Sequence, residues 1–149
     1  MSGFARRGAE LLCDGCSLQE AAARFGTPLY VYSKATLVGA YRDYTQALAA
    51  VPHRICYALK ANASGGLLRI LAGLGAGADI VSGGELRAAL RAGFPPERIV
   101  FSGVGKSDAE IRAGLEAGIG QFNAESGESW RGSRRPRSRA AGRRRSRCA

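Results

Sequence analysis

At 149 residues, with 46% hydrophobic and 23% charged residues, the chain is large and apolar enough to bury a core, so wholesale disorder is not expected. The formal net charge of +10 would suit a nucleic-acid partner, but residues 1–130 are nearly neutral, with 12 acidic and 13 basic residues, and the other nine basic residues, all Arg, lie in residues 131–149. No apolar run approaches the roughly 18 residues of a membrane span and the N-terminus does not resemble a secretory signal, so we expect a cytoplasmic protein.

The first motif in the chain is Cys13-Asp14-Gly15-Cys16, which has the CxxC spacing of redox and zinc sites. A zinc site needs more ligands, but the sequence contains no second such pair and His53 is its only histidine. We therefore favour a surface turn in which the spacing arises by chance, with a metal or redox site as the alternative. In a reducing compartment the cysteines would be free thiols.

Residues before position 53 predict two helices separated by an extended run. Ser17-Leu18-Gln19-Glu20 is a capping box that can begin a short helix, which Gly26 can end. Residues 27–32 favour a β-strand. Ser33 can cap the second helix, which Pro52 ends and whose apolar face comprises Leu37, Tyr41, Tyr44 and Leu48.

From residue 55 onward the pattern repeats. Four strand-like runs begin 23, 21 and 20 residues apart, and the first three are each followed by a helical stretch; the runs are residues 55–59, 78–81, 99–102 and 119–123. A second capping box, Ser107-Asp108-Ala109-Glu110, precedes the last of these helices, and a glycine stands near the end of each, at Gly73, Gly93 and Gly118. Successive βα units predict an α/β fold with a parallel sheet, either open or closed into a barrel.

The number of strands limits how much of a barrel the chain contains. A (β/α)8 barrel takes about 250 residues and eight strands, so the four strands predicted here amount to the first half. Residues 131–149 use six amino-acid types and show no periodicity, which predicts a disordered Arg-rich tail. Because all six types have GC-rich codons, we favour a frameshift or truncation over a phosphate-binding tail, which would also lack stacking aromatics.

Lys60 is the candidate catalytic residue because it lies at the carboxyl end of the first repeated strand. Strand alternation places it on one face with Cys56 and Ala58, so it would point into a barrel if the other face meets the helices. A partly desolvated amine at that end can attack an aldehyde and form a Schiff base. From spacing alone, a lysine that snorkels to solvent is the simpler interpretation.

The surrounding sequence resembles a known family. Tyr57-Ala58-Leu59-Lys60-Ala61-Asn62 is similar to the pyridoxal-phosphate attachment motif of the fold type III, alanine racemase-like amino-acid decarboxylases. Further blocks narrow the resemblance to the N-terminal half of the diaminopimelate decarboxylase family; they are residues 26–32, 77–86, 99–106 and 122–126. The resemblance extends from about Leu11 to Trp130.

The resemblance implies a function and roles for individual residues. It implies the first half of a TIM barrel that binds pyridoxal 5'-phosphate, in a lyase that converts meso-2,6-diaminopimelate to L-lysine and carbon dioxide in lysine biosynthesis. Lys60 would carry the cofactor and later transfer a proton, and Asp79 would be a cofactor-binding acid beside it, with loop capping as the alternative. For Glu85 we favour capping of the next helix, with a role in the site as the alternative, and we expect Asn123 and Glu125, at the end of the fourth strand, to line the pocket.

The resemblance also divides the chain and shows what it lacks. Residues 1–32 would belong to the family's second, β domain, residues 33–130 to a partial cofactor-binding barrel, and residues 131–149 to the tail. The family's later elements are missing, including the histidine that stacks on the cofactor and the glycine-rich phosphate segment. We therefore expect weak cofactor binding and no decarboxylase activity from this chain, and a homodimer for the full-length family.

Three alternatives stay open from the sequence. The chain could belong to another fold type III decarboxylase, acting on ornithine, arginine or carboxynorspermidine. It could be a non-catalytic module whose Arg tail binds nucleic acid. A half barrel could also pair with itself. Gly103-Val104-Gly105-Lys106 is too short for a nucleotide-binding phosphate loop, so we set that interpretation aside.

Overall fold

The structure is a computed structural model that describes residues 3–124. It divides into two compact units, with the boundary between His53 and Arg54. The predicted tail at residues 131–149 and the assignment of Glu125 lie outside the described residues. No helix within residues 3–124 is long and apolar enough to cross a membrane.

The first unit begins with a small antiparallel sheet that the sequence analysis did not predict. Its strands are β1 (Phe4–Arg7), β2 (Glu10–Cys13) and β3 (Cys16–Ser17), in the order β1-β2-β3. Asp14 and Gly15 join β2 to β3 with positive φ angles of 48° and 83°. Two-residue hairpins of type I′ need positive φ at both central residues, which explains why an Asp-Gly pair occupies this turn.

The two helices predicted in this unit are present. Helix α1 (Leu18–Phe25) begins at Ser17, whose Oγ accepts a hydrogen bond from the Glu20 N–H at 3.3 Å. Helix α2 (Lys34–Ala47) begins at Ser33, whose Oγ accepts from the Thr36 N–H at 3.0 Å. Neither helix contains a buried residue.

The strand predicted for residues 27–32 is wrong. No strand is assigned there, and the apolar side chains of Tyr30 and Tyr32 are 86% and 61% exposed. A β-favouring composition forms a stable strand only when a neighbouring strand accepts its backbone hydrogen bonds. The described residues provide no such neighbour for this run.

The second unit is the predicted parallel α/β repeat. Its sheet has the order β4-β5-β6-β7 with every pair parallel; the strands are β4 (Cys56–Ala58), β5 (Gly77–Ile80), β6 (Ile99–Phe101) and β7 (Gln121–Phe122). The connecting helices are α3 (Gly65–Gly73), α4 (Gly83–Ala92) and α5 (Asp108–Ala117). Gly93 and Gly118 end α4 and α5 in the left-handed conformation, as predicted. After α3 that conformation occurs at Gly75, because Gly73 still lies within the helix.

The two faces of the parallel sheet differ in burial. On one face, Ala78, Ile80, Ile99 and Phe101 are all 0% exposed. The inward residues of the helices are also buried; they are Leu71, Leu86 and Ile111. The core of this unit therefore lies between that face and the helices. The opposite face, which carries Cys56, Ala58, Asp79 and Val100, is only half-buried.

Candidate functional site

Lys60 lies directly after β4, at the carboxyl end of the sheet. The strand ends at Ala58, slightly earlier than predicted, and Leu59–Ala61 forms a single 3-10 turn. Leu59 is 0% exposed and anchors this turn in the core, whereas the Lys60 side chain is exposed. The structure therefore presents the amine of Lys60 to solvent at the edge where parallel α/β folds place their functional groups.

The loop after Lys60 is held by polar contacts. The Tyr57 hydroxyl donates a hydrogen bond to the backbone carbonyl of Asn62 at 3.2 Å. The Asn62 side-chain oxygen accepts from the Ser64 N–H at 2.9 Å, immediately before helix α3 begins. These contacts fix the backbone on the carboxyl side of Lys60.

Asp79 lies on the neighbouring strand, β5. It is directly opposite Ala58 of β4 in the parallel register, and opposite Val100 of β6 on its other side. It lies inside the strand, one residue before its end, and the loop-capping alternative stays a prediction. Its Oδ1 atom is buried and has no hydrogen-bond partner among residues 3–124. Leaving such a group unsatisfied costs about 1–3 kcal/mol, so this oxygen is available to a ligand.

Glu85 has the helix-terminus role that the sequence analysis assigned to it. Its Oε2 accepts a hydrogen bond from the Val81 N–H at 2.8 Å, and its own N–H donates to the Ser82 Oγ at 3.2 Å. Both contacts lie at the beginning of α4, where a carboxylate is also favoured by the helix dipole. Glu85 thereby fixes the backbone between Asp79 and the helix.

Lys106 organises a second part of the same edge, which the sequence analysis did not foresee. Its ammonium donates to the backbone carbonyls of Gly103 at 2.5 Å and of Asn123 at 2.7 Å, and lies 5.7 Å from the centroid of the Phe101 ring. The Asn123 side chain donates to the Ser102 Oγ at 3.0 Å. Lys106 therefore ties the end of β6 to the end of β7. No local signal could reveal this contact, because it joins residues 17 positions apart in sequence.

Glu110 connects the two helix N-termini at this edge. Its Oε1 accepts from the Gly83 N–H at 2.8 Å, while its Oε2 accepts from the N–H and the hydroxyl of Ser107. The capping box predicted from the sequence is thus complete, with an additional contact to α4. The hydrogen bond from Gly83, followed by those from Ser107, lowers the pKa of Glu110 below its usual value.

The cysteines do not assemble a metal centre in the part of the chain that the structure describes. Within residues 3–124 there is no group of three or more His, Cys, Asp or Glu residues placed to hold a metal ion. Cys13, Cys16 and Cys56 are free thiols. Burial raises the pKa of Cys56, which lies on the same sheet face as Asp79.

The sequence model of one family, described as the pyridoxal-binding domain of pyridoxal-dependent decarboxylases, matches residues 34–131. The chain belongs to this family. Pyridoxal phosphate is therefore the cofactor of the domain. The chain is 53% identical over 128 residues to the diaminopimelate decarboxylase of Pseudomonas aeruginosa, covering 86% of this chain and 31% of the relative. It is 50% identical over 120 residues to the diaminopimelate decarboxylase of Aquifex aeolicus, covering 80% of this chain and 28% of that relative.

Solved structures give the same relationship. The diaminopimelate decarboxylase of M. jannaschii in complex with L-lysine superposes with a TM-score of 0.84 at 37% identity, over 89% of this chain and 33% of that one. The lysine/ornithine decarboxylase of Vibrio vulnificus superposes with a TM-score of 0.71 at 26% identity, over 77% of this chain and 31% of that one. The chain thus spans about a third of the length of the relatives it matches.

The residues at the sheet edge fit the chemistry of pyridoxal phosphate. The cofactor presents an aldehyde, which bonds to a primary amine, and Lys60 provides an exposed amine. It also presents groups that donate hydrogen bonds, and Asp79 Oδ1 is a buried acceptor without a partner. Lys106 is less suited to the aldehyde, because two backbone carbonyls already accept hydrogen bonds from its ammonium.

Proposed function

We propose that the chain supplies the lysine-bearing part of a diaminopimelate decarboxylase, which converts meso-2,6-diaminopimelate to L-lysine and carbon dioxide. One observation carries this proposal: the exposed amine of Lys60 follows β4, and the unpartnered carboxylate oxygen of Asp79 lies on the adjacent strand. The identity of about 50% to proteins of that name supports the substrate.

Pyridoxal phosphate, when bound, supplies an aldehyde that bonds to amines and a ring that accepts the electron pair left behind when carbon dioxide departs. In our proposal Lys60 holds the cofactor through its Nζ atom. Lys60 Nζ would yield this place to the amino group of the substrate and would then lie free at the same edge of the sheet. Once protonated by the ammonium group of the incoming substrate or by solvent, Lys60 Nζ would donate a proton to the carbon that lost its carboxylate.

Asp79 acts through its charge and its buried oxygen. Its Oδ1 would accept a hydrogen bond from a donor of the bound cofactor, which would satisfy an oxygen that has no partner among residues 3–124. A carboxylate on the strand beside Lys60 also favours positive charge at the site. Asp79 therefore orients the ligand and stabilises cationic groups on it.

The remaining polar residues stabilise the backbone around this site. Glu85 fixes the backbone after Asp79, Glu110 joins the starts of α4 and α5, and Lys106 joins the ends of β6 and β7. These contacts pre-organise the carboxyl edge, so binding the cofactor needs little further ordering of the backbone. Asn123, at the end of β7, lines the pocket in this proposal.

The proposal includes the larger architecture that the resemblance implies. Residues 33–130 form the first half of a (β/α)8 barrel, and residues 1–32 belong with a second, β domain. Three consecutive βα units followed by a fourth strand, all parallel and in sequential strand order, support the first of these assignments. Homodimeric assembly and a cytoplasmic location belong to the same proposal.

A chimera tests the function. Residues 3–124 replace the corresponding segment of the Pseudomonas aeruginosa enzyme, and L-lysine formed from meso-diaminopimelate is measured, with ornithine as the competing substrate. We expect turnover of diaminopimelate by the chimera, none after Lys60→Arg, and little change after Lys34→Arg, which alters an exposed lysine at the start of α2. A folded chimera that binds the cofactor but acts only on ornithine would assign the segment to the other decarboxylases.

A further inference from the structure

The CxxC motif has a defined geometry in the structure. Cys13 ends β2 and Cys16 begins β3, and the two are directly opposite each other in the antiparallel register. Only Asp14 and Gly15 separate them, in the tight hairpin turn. Both cysteines are free thiols. The spacing that the sequence analysis attributed to chance therefore brings two thiols to one cross-strand position.

The distances of such a position suit a disulfide bond. Directly opposite residues of antiparallel strands have Cα atoms about 4.5–5.5 Å apart, and disulfides span Cα separations of about 4.4–6.8 Å. Their Cβ atoms are about 4.5–5.5 Å apart, slightly more than the roughly 3.5–4.5 Å of a relaxed disulfide. The bond therefore forms with a small approach of the strands, and the resulting strain makes it easier to reduce.

Contacts of Asp14 hold the turn in this conformation. Its Oδ1 accepts from the Ser33 hydroxyl at 2.8 Å and its Oδ2 from the Ala35 N–H at 3.1 Å. Its own N–H donates to the Gly3 carbonyl at 2.8 Å. The turn between the cysteines is thus fixed to the start of α2, so the folded unit keeps the two thiols facing each other.

The two thiols differ in accessibility. Cys16 is exposed, whereas Cys13 is 5% exposed. Desolvation by burial, with smaller contributions from Asp14 and Cys16, raises the pKa of Cys13. An external disulfide therefore reaches Cys16 first, and Cys13 attacks only from within the folded unit.

We propose that Cys13 and Cys16 form a reversible dithiol–disulfide site whose oxidant is a small-molecule disulfide such as glutathione disulfide. The Cys16 thiolate attacks one glutathione sulfur, forms a mixed disulfide and releases the first glutathione thiolate. The Cys13 thiolate then attacks the Cys16 sulfur, which closes the internal disulfide and releases the second glutathione thiolate. The two protons lost by the cysteines go to the two glutathiones, and excess glutathione reverses both steps.

The test uses the 149-residue chain with Cys56→Ser and Cys148→Ser, so that only the two thiols of the hairpin remain. The folded protein is equilibrated with mixtures of reduced and oxidised glutathione, remaining thiols are alkylated, and intact masses are measured. We expect the internal disulfide as the main oxidised species, its reversal by excess glutathione, and an unchanged circular dichroism spectrum. Cys13→Ser should instead accumulate a glutathione adduct on Cys16, and Cys16→Ser should react several-fold more slowly.

A denatured sample supplies the decisive control, because a CxxC segment can also close when unfolded. If the disulfide forms only in denaturant, while the native chain stays reduced or stops at the glutathione adduct, the proposal is wrong. The proposal is also wrong if the protein with the internal disulfide loses the native circular dichroism spectrum. Neither result depends on cofactor binding or decarboxylation, so this test is independent of the proposed function.

Discussion

The carboxylate of Glu110, in the first turn of α5, accepts a hydrogen bond at 2.8 Å from the backbone N–H of Gly83, in the first turn of α4. The two residues are 27 positions apart and belong to successive βα units. A helix has four N–H groups at its start without partners inside the helix. Glu110 accepts a hydrogen bond from one of these N–H groups in α4 and also caps its own helix. It therefore couples two neighbouring βα units at the edge of the sheet that carries Lys60 and Asp79.

Removal of this coupling should destabilise the fold. Glu110→Ala deprives the Gly83 and Ser107 N–H groups of their acceptor, and we expect the free energy of unfolding to fall by about 1–3 kcal/mol. Glu116→Ala is the control, because Glu116 is an exposed residue of the same helix and its loss should cost at most about 0.5 kcal/mol. Urea unfolding followed by circular dichroism measures both. Equal losses in the two variants would contradict the coupling.

The same carboxylate predicts a dependence on pH. The pKa of Glu110 in the folded state is lowered from 4.5, chiefly by the hydrogen bond from Gly83, so folding favours its ionised form. Its contribution to stability is therefore fully present above about pH 4.5 and is lost as the pH falls through the lower, folded-state pKa.

Comparison with Glu110→Gln isolates this contribution. The difference in unfolding free energy between the wild type and the variant should be largest near pH 6–7 and should shrink below about pH 4.5. Other carboxylates titrate in both proteins and cancel in the difference. A difference that stays constant from pH 7 to pH 3.5 would show that the charge of Glu110 does not contribute.

Gly103 marks a close approach of two backbones beside the site. A Cβ atom at this position would lie 2.5 Å from the carbonyl oxygen of Val81. Since backbone cannot move aside as a side chain can, Gly103→Ala should force the loops after β5 and β6 apart and cost about 1–3 kcal/mol. Gly84→Ala is the matched control, because its nearest contact is an ordinary 3.7 Å. Thermal unfolding should show a lower midpoint for the first variant and not for the second.

Much of the α/β repeat could be predicted because its signals are local. Serines followed three residues later by glutamate predicted the starts of α1 and α5, and glycines predicted the ends of α4 and α5. The regular spacing of short apolar runs predicted four parallel strands, all of which are present. The helix starts and ends depend on hydrogen bonds within a few residues, and the strands were recognisable from the regular spacing of their apolar runs.

The errors lie where structure depends on distant partners. All four residues of β1, including Arg6 and Arg7, are in contact with solvent, and the strand has no alternation of apolar and polar residues. The Asp14-Gly15 pair was a usable signal for a hairpin, but it was interpreted only as a generic turn. The composition of residues 27–32 favours a strand, but no strand among the described residues pairs with them.

The candidate site likewise has features that the sequence predicts and features that it does not. Their positions at strand ends and the resemblance predict Lys60 and Asp79 as site residues, and the register of β4 and β5 places their strands side by side. The unsatisfied state of Asp79 Oδ1 and the contacts of Lys106 could not be predicted, since both depend on what surrounds a side chain in three dimensions.

The most direct test of the account asks which lysine bonds to the cofactor. The 149-residue chain is incubated with excess pyridoxal phosphate and reduced with borohydride, and its peptides are mapped by mass spectrometry. We predict a label on Lys60, lost in Lys60→Arg and retained in Lys34→Arg. A label spread equally over Lys34, Lys60 and Lys106, or one that persists at the same level after Lys60→Arg, would contradict the assignment of Lys60.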